Sequence, residues 1–140
     1  MFLKELMTED VTYLPSTASV LDAAKFMTNM NVGSVIVADG ESPSGLITDR
    51  DVVAKVIALG KDSSTTKIGE VMVSPVVTIS EDKDIIDATK LMSTHGIRRL
   101  PITDEQGKLA GVISLDDVLL LLSEEMGNIA TTLKKELGKE

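Results

Sequence analysis

The chain has 140 residues, 43% hydrophobic but only 2% aromatic, which suits one compact domain or two small units sharing an aliphatic core with seven Met as adaptable filler. Fourteen basic against 22 acidic residues leave a net charge of −8, which argues against a grip on nucleic acid, and the scarcity of rings removes the stacking platforms of single-strand binders. Cysteine is absent, excluding disulfides and thiolate metal sites; the start, MFLKELMTED, has no apolar run of secretory length, and VLLLLS is too short to span a bilayer, so a soluble cytoplasmic protein is expected.

Along the chain, Val11 to Leu14 reads as a short strand leading to a helix. Ser19-Val-Leu-Asp22 is a capping-box pattern, and Val20, Ala23, Met27 and Met30 trace one helical face. A strand from Val35 to Ala38, the polar turn DGESPS and a last strand follow, the latter ending at GLITDRDVV (Gly45 to Val53) and running into a second helix. GKDSSTTKIGE is polar and reads as a linker.

The same order then returns. Val76 to Ile79 is a strand, Asp84 takes the cap position, and Ile85, Ala88 and Met92 form the helical face. Leu100 to Thr103 is a strand, DEQGK a turn, and GVISLDDVL (Gly111 to Leu119) closes the copy. At an offset of 65, Met7 aligns with Met72, Asp22-Ala23 with Asp87-Ala88 and Met27 with Met92; after one insertion the offset becomes 66, pairing Gly45, Ile47, Asp51 and Val52 with Gly111, Ile113, Asp117 and Val118. The boundaries are repeat 1 at 1–60, linker 61–67, repeat 2 at 68–123 and a helical extension at 124–140. The order β-α-β-β-α, twice, implies an α/β (α+β) fold of two pseudo-symmetric halves packed sheet to sheet, neither burying enough surface alone. In the last helix Val118, Leu122, Met126, Ile129, Leu133 and Leu137 form one apolar stripe, with Asp116 and Asp117 at its start and Lys134, Lys135 and Lys139 near its end, matching the dipole.

Thr48-Asp-Arg-Asp51 and Ser114-Leu-Asp-Asp117 each keep a hydroxyl three residues before a carboxylate. Helix capping accounts for that spacing. So does a nucleotide seat: a helix N-terminus suits phosphate, a first-turn carboxylate can accept from two ribose hydroxyls, and Gly45 and Gly111 permit close backbone approach. The two roles are compatible. His95 is the lone histidine and has no second imidazole to share a metal, so a helix-end role is expected; without an identifiable nucleophile, no enzyme is expected.

GLITDRDVV, GVISLDDVL, HGIRRLPITD (His95 to Asp104) and SPVVTIS together resemble a tandem of CBS domains, named after cystathionine β-synthase, over about Leu6 to Ser123. The resemblance implies a stand-alone regulatory pair that binds AMP, ADP, ATP or a related adenosyl compound between the copies, with no separate cofactor. Carried over, the main site comprises Thr48 and Asp51 for the ribose, Arg98 and Arg99 for the phosphate, and Leu46, Val77, Ile97 and Pro101 as walls for the base, with Arg50 adjacent. The pseudo-symmetric site would use Ser114 and Asp117 opposite Val32, Gly33 and Ser34. Gly33-Ser34 stands where the second copy has Arg98-Arg99, so that site departs from the pattern, and one strong site per chain is expected at the Thr48/Asp51 end. A homodimer through the C-terminal stripe and a regulated protein partner are expected. The rival reading is a dimerising scaffold without a nucleotide ligand, in which the motifs are only caps.

Overall fold

Ser19 and Asp84 open the two long helices of the repeat in the same way. In the computed structural model, which describes residues 1–9 and 11–138, Ser19 Oγ accepts from the Asp22 amide at 3.0 Å, and Asp84 Oδ1 accepts from the Asp87 amide at 3.0 Å while the Asp84 amide donates back to Asp87. The helices are α2 (Val20–Met30) and α4 (Ile85–His95), and they end alike: Asn31 at φ 53° and Gly96 at φ 63° take the left-handed turn that stops a helix. Asn and Gly are the residues that tolerate it. His95 is the exposed last residue of α4, the helix-end position expected for it.

Each copy holds one three-stranded sheet. β1 (Tyr13–Leu14) pairs parallel with β2 (Ser34–Val37), which pairs antiparallel with β3 (Gly45–Thr48); β4 (Ile79–Ser80), β5 (Arg99–Thr103) and β6 (Leu109–Ser114) repeat this order. The first strand of each copy is shorter than the sequence suggests. Short α1 (Leu3–Leu6) precedes the first copy, and a single 3₁₀ turn (Ile68–Glu70) precedes the second. After β3 comes α3 (Asp49–Val52), continued by a π-helical turn, Val53–Ile57; β6 runs into α5 (Leu115–Glu136).

The leading segments cross over. Leu3 is wholly buried in the second copy's core with Ile79, Ala88, Leu100, Ile102 and Ile113, whereas Ile68 and Val71 belong to the first copy's core with Val20, Val35 and Ile47. Backbone bonds fix the exchange: the Leu3 amide donates to Lys83 O at 2.9 Å, and the Ile68 amide to Ala18 O at 2.9 Å. Thr8 bridges Val112, and Val73 bridges Leu46. The connector also satisfies an orphan donor of α2, since the Val20 amide donates to Thr66 O at 2.9 Å and Thr66 is buried. Ser63, Thr66 and Lys67 thus bond the largely exposed segment 61–67 to the first copy. Each core is completed by chain that precedes the other copy.

This crossover explains the motif glycines. A Cβ on Gly111 would lie 2.6 Å from Met7 Sδ and 2.9 Å from the Thr8 carbonyl, and a Cβ on Gly45 would collide with Met72 Sδ. The close approach anticipated at these glycines is made by the crossing methionines.

Within α2, Val20, Ala23 and Met27 are buried as their spacing predicts, but Met30 is exposed. In α5 only Val118 is buried; Leu122, Met126, Ile129, Leu133 and Leu137 face outward. Lys134 and Lys135 stand at its C-terminal end, while Lys139 lies outside the described residues. No helix among the described residues is long and apolar enough to cross a membrane.

Candidate functional site between the two copies

Both repeated motifs are capping boxes. Thr48 Oγ1 accepts from the Asp51 amide at 3.1 Å, and Asp51 Oδ2 accepts from the Thr48 amide at 2.9 Å. Ser114 Oγ accepts from the Asp117 amide at 3.1 Å, and Asp117 Oδ2 from the Ser114 amide at 2.9 Å. Beyond the caps the two motifs differ. Asp51 is buried, takes a further bond from the Thr48 hydroxyl at 3.0 Å, and pairs through Oδ1 with Lys55 Nζ at 3.1 Å. Asp117 is exposed, and among the described residues no basic side chain pairs with it. One carboxylate is fully engaged; the other keeps an oxygen free.

Asp117 borders a cavity of about 380 Å³ between the copies. The first copy contributes Thr12, Asn31, Val32, Ser34 and Ile36; the second contributes Arg99, Val112, Ser114 and Asp116. Ser34 opens β2 and is 8% exposed, and its Oγ is the buried side-chain polar atom without a hydrogen-bond partner among the described residues. A buried hydroxyl left unpaired costs about 1–3 kcal/mol, so this atom calls for a partner. Arg99 brings five donors to the same space, and Asp117 brings an acceptor. Apolar wall, cation, hydroxyls and carboxylate thus converge in one cleft.

The arginines stand at the Ser114 end of the second copy. Arg99 lies opposite Ser114 in the antiparallel β5–β6 register, and Arg98 donates to Asp116 Oδ1 at 3.2 Å. Both therefore stand beside Ser114 and Asp117, and Thr48 and Asp51 do not line the cavity that Arg99 lines. The reason is local: the basic pair and the Ser114 turn are neighbouring strands of one hairpin. Arg99 thus lines the cavity on the Ser114/Asp117 side.

Other anticipated residues fall in pseudo-equivalent positions. Val77, Ile97 and Pro101 correspond, at offset 65, to the cavity residues Thr12, Val32 and Ile36; Leu46, Thr48 and Asp51 correspond, at offset 66, to Val112, Ser114 and Asp117. Val77 and Ile97 pack on the second copy's core, Pro101 is fully buried, and Leu46 is held against Val73. Gly33 is not part of the cavity wall; its carbonyl accepts from the Asp49 amide at 3.0 Å. Arg50 is exposed. Thr12, Asn31 and Ile36 were missed by sequence reasoning, although the repeat offset applied to Val77 and Pro101 points to Thr12 and Ile36.

Comparison with known proteins identifies the family. The profile of the CBS domain matches residues 3–58 and 68–124. The Bacillus subtilis protein YlbB is 36% identical over 139 residues, 98% of this chain and 91% of that one, and the CBS domain-containing protein YhcV of the same organism is 32% identical over 96% of each. Among solved structures, the CBS domain pair of protein MJ0100 in complex with 5′-methylthioadenosine and S-adenosyl-L-methionine superposes with a TM-score of 0.80 at 25% identity, covering 89% of this chain and 98% of that chain. With two matched domains in a single short chain, crossed over into each other's cores, this protein belongs to the CBS domain family as a tandem pair.

Proposed function

We propose that the pair is a regulatory ligand-sensing module whose adenosyl ligand, AMP, ADP, ATP or a related compound, is held in the cleft bordered by Ser114 and Asp117. The observation that carries this reading is the buried, unpaired Ser34 Oγ in a cavity that also holds Arg99 and a carboxylate oxygen without a partner. Val32, Ile36 and Val112 supply apolar surface for a base, Asp117 accepts from ribose hydroxyls, and Arg99 matches phosphate oxygens with its forked donors. The adenosyl complex of MJ0100 supports the ligand class.

In this reading the Thr48/Asp51 turn is chiefly structural, because Lys55 occupies the carboxylate oxygen that Asp117 leaves open. No reaction is assigned; the module transmits occupancy of the cleft to a partner protein, and it works as a homodimer. Hexameric CBS-CP12 protein from cyanobacteria, a structural neighbour at TM-score 0.76 and 31% identity, supports self-association.

Thermal shift and calorimetry with AMP, ADP, ATP and S-adenosylmethionine test the reading. A ligand at 100 times its Kd adds about 2.7 kcal/mol of stability. If none of the four raises the melting temperature at millimolar concentration, the scaffold reading replaces this one.

A further inference from the structure

The long helices α2 and α4 are covered differently. In the first copy the connector lies on α2: Thr66 O accepts from the Val20 amide at 2.9 Å, Ser63 O accepts from the Leu21 amide at 3.0 Å, and Lys67 bridges Ser19. At offset 65 the start of the chain repeats part of this on α4, since Met1 O accepts from the Ile85 amide at 3.4 Å and Phe2 bridges Asp84. The correspondence stops there. No backbone carbonyl among the described residues takes the Ile86 amide as Ser63 takes that of Leu21, and Ile86 is 59% exposed where Leu21 is half-buried.

The surface beside Ile86 is both grooved and charged. Lys83, Asp87, Lys90 and Thr94, with apolar Ile79 and Leu91, line a groove of about 290 Å³. Ile86 and Lys90 are one turn apart on α4, so the exposed side chain adjoins that groove. Lys83 stands where the first copy has Ala18, which gives this face a cation that its counterpart lacks. The nearby carboxylates are turned elsewhere: Asp84 and Asp87 accept from each other's amides in the α4 cap, and Asp82 pairs with Lys4 at 3.7 Å. Neither Lys83 nor Lys90 pairs with a carboxylate among the described residues. Apolar surface between two ammonium groups is complementary to a peptide that brings carboxylates and an apolar side chain together.

We propose that the α4 face formed by Lys83, Ile86, Lys90 and the groove over Ile79 and Leu91 docks an acidic segment of a partner protein, seated as the connector is seated on α2. The connector shows the kind of chain that fits such a place, a short self-bonded turn in which Asp62 O accepts from the Thr66 amide at 2.9 Å. α4 leads directly into β5, whose first residue is Arg99, so a docked segment lies on the element that precedes the cleft's cation. The inference rests on the regulatory reading for the existence of a partner, and it holds whichever ligand fills the cleft.

Nuclear magnetic resonance titration of the full chain tests it, with a synthetic peptide of residues 57–66 carrying Lys61→Glu as the probe. Saturable shifts are expected at the amides of Lys83, Ile86, Lys90 and Thr94 at millimolar peptide. Lys83→Glu combined with Lys90→Glu should weaken the peptide at least 10-fold and leave the melting temperature and AMP affinity as in wild type, because both side chains are exposed and lie outside the cleft. Ile86→Gln should weaken the peptide without touching AMP. Absence of saturable shifts, shifts centred on another surface, or unchanged binding to the double charge reversal overturns the proposal. The two readings fail separately. A chain that binds AMP and ignores the peptide loses this surface and keeps the ligand, and one that binds the peptide but no adenosyl compound keeps the surface and loses the ligand.

Discussion

Lys55 Nζ lies 3.1 Å from Asp51 Oδ1 and 3.0 Å from the Val71 carbonyl, so one ammonium ties the turn after β3 to the segment that crosses over ahead of the second copy. Lys55 lies in the π-helical turn Val53–Ile57, four residues after Asp51. At the pseudo-equivalent point of the second copy, 55 + 66 = 121, the residue is Leu121, and Asp117 remains free. The two halves of the repeat have the same cap but different electrostatics.

Calorimetry of the wild-type protein should therefore show one tight AMP per chain. Lys55→Met should add a second, weaker event, because Asp51 Oδ1 then becomes available to ribose hydroxyls. Lys55 is 45% exposed but the Asp51 side chain only 12%, so losing the pair should cost about 1–2 kcal/mol and lower the melting temperature by several degrees. Two equivalent AMP sites in the unmutated chain would show that Lys55 does not close the Thr48/Asp51 turn.

The two aspartates should separate stability from affinity. Asp51→Ala removes a cap and a buried, fully bonded carboxylate; it should cost roughly 2–3 kcal/mol of stability and leave AMP affinity nearly unchanged. Asp117→Ala removes the same cap from an exposed position and should cost only about 1 kcal/mol, while affinity falls roughly 30- to 150-fold. Melting curves and titrations of both variants decide the matter, and the reverse pattern would return the ribose to Asp51.

Much of this arrangement is legible in the sequence, and the failures have physical causes. The 65- and 66-residue offsets identify both helices, both sheets and the capping boxes, because these follow from local periodicity and cap chemistry. The crossover of Leu3 and Ile68 is not legible, since apolar spacing records that a residue is buried but not in which core. The place of Arg99 was legible through the hairpin alone: with the turn at Gly107, at φ 77°, antiparallel pairing brings Arg99 to Ser114. The Asp51–Lys55 pair was legible as an i,i+4 acid–base spacing, whereas the bond from Lys55 to the Val71 carbonyl, 16 residues on, was not, because it joins segments that meet only in the folded chain.

The motif glycines should respond differently to a single added methyl group. Gly45→Ala meets only the side chain of Met72, which is flexible, so a double-mutant cycle with Met72→Ala should show favourable coupling of about 1 kcal/mol or more. Gly111→Ala also meets the Thr8 carbonyl, and that residue is held by backbone bonds to Val112 at 3.1 and 3.2 Å. It should cost about 1–3 kcal/mol, and Met7→Ala should rescue little of it. Equal rescue in both cycles would deny the backbone clash.

Acid should destabilise the fold through three carboxyls, Asp39 and Asp62 exposed and Asp84 half-buried. Hydrogen bonds from Ser16 to Asp39, from Ser64 to Asp62 and from the Asp87 amide to Asp84 hold all three below their ordinary value of 3.8. With the folded values lower, the unfolded chain binds more protons near that pH. Their stabilisation is thus fully present above 3.8 and is lost as pH falls through the folded values. The melting temperature should be level near neutrality and decline below pH 3.8, and Asp84→Asn should make that decline shallower. An acid profile unchanged in Asp84→Asn would remove the α4 cap from the explanation.

Ser34 and Arg99 give the sharpest test of the cleft, because Ser34→Ala should separate stability from affinity and Arg99→Ala should separate AMP from adenosine. Ser34 Oγ is buried without a partner among the described residues, so Ser34→Ala relieves an unpaired hydroxyl and should leave the ligand-free protein as stable as wild type or slightly more so. A hydroxyl that meets the ligand is missed only on binding, and AMP affinity should then fall roughly 5- to 10-fold, the equivalent of about 1 kcal/mol. Arg99 acts on charge. AMP brings one to two negative charges to a chain already at −8, and a forked guanidinium offsets that repulsion at the point of contact. Arg99→Ala should therefore weaken AMP about 10- to 100-fold and leave adenosine, which lacks the phosphate, nearly untouched. Titrating both ligands against both variants separates the roles. Equal loss of AMP and adenosine in Arg99→Ala would move the phosphate elsewhere, and a Ser34→Ala protein that melts earlier would mean that its hydroxyl already has a partner in solution.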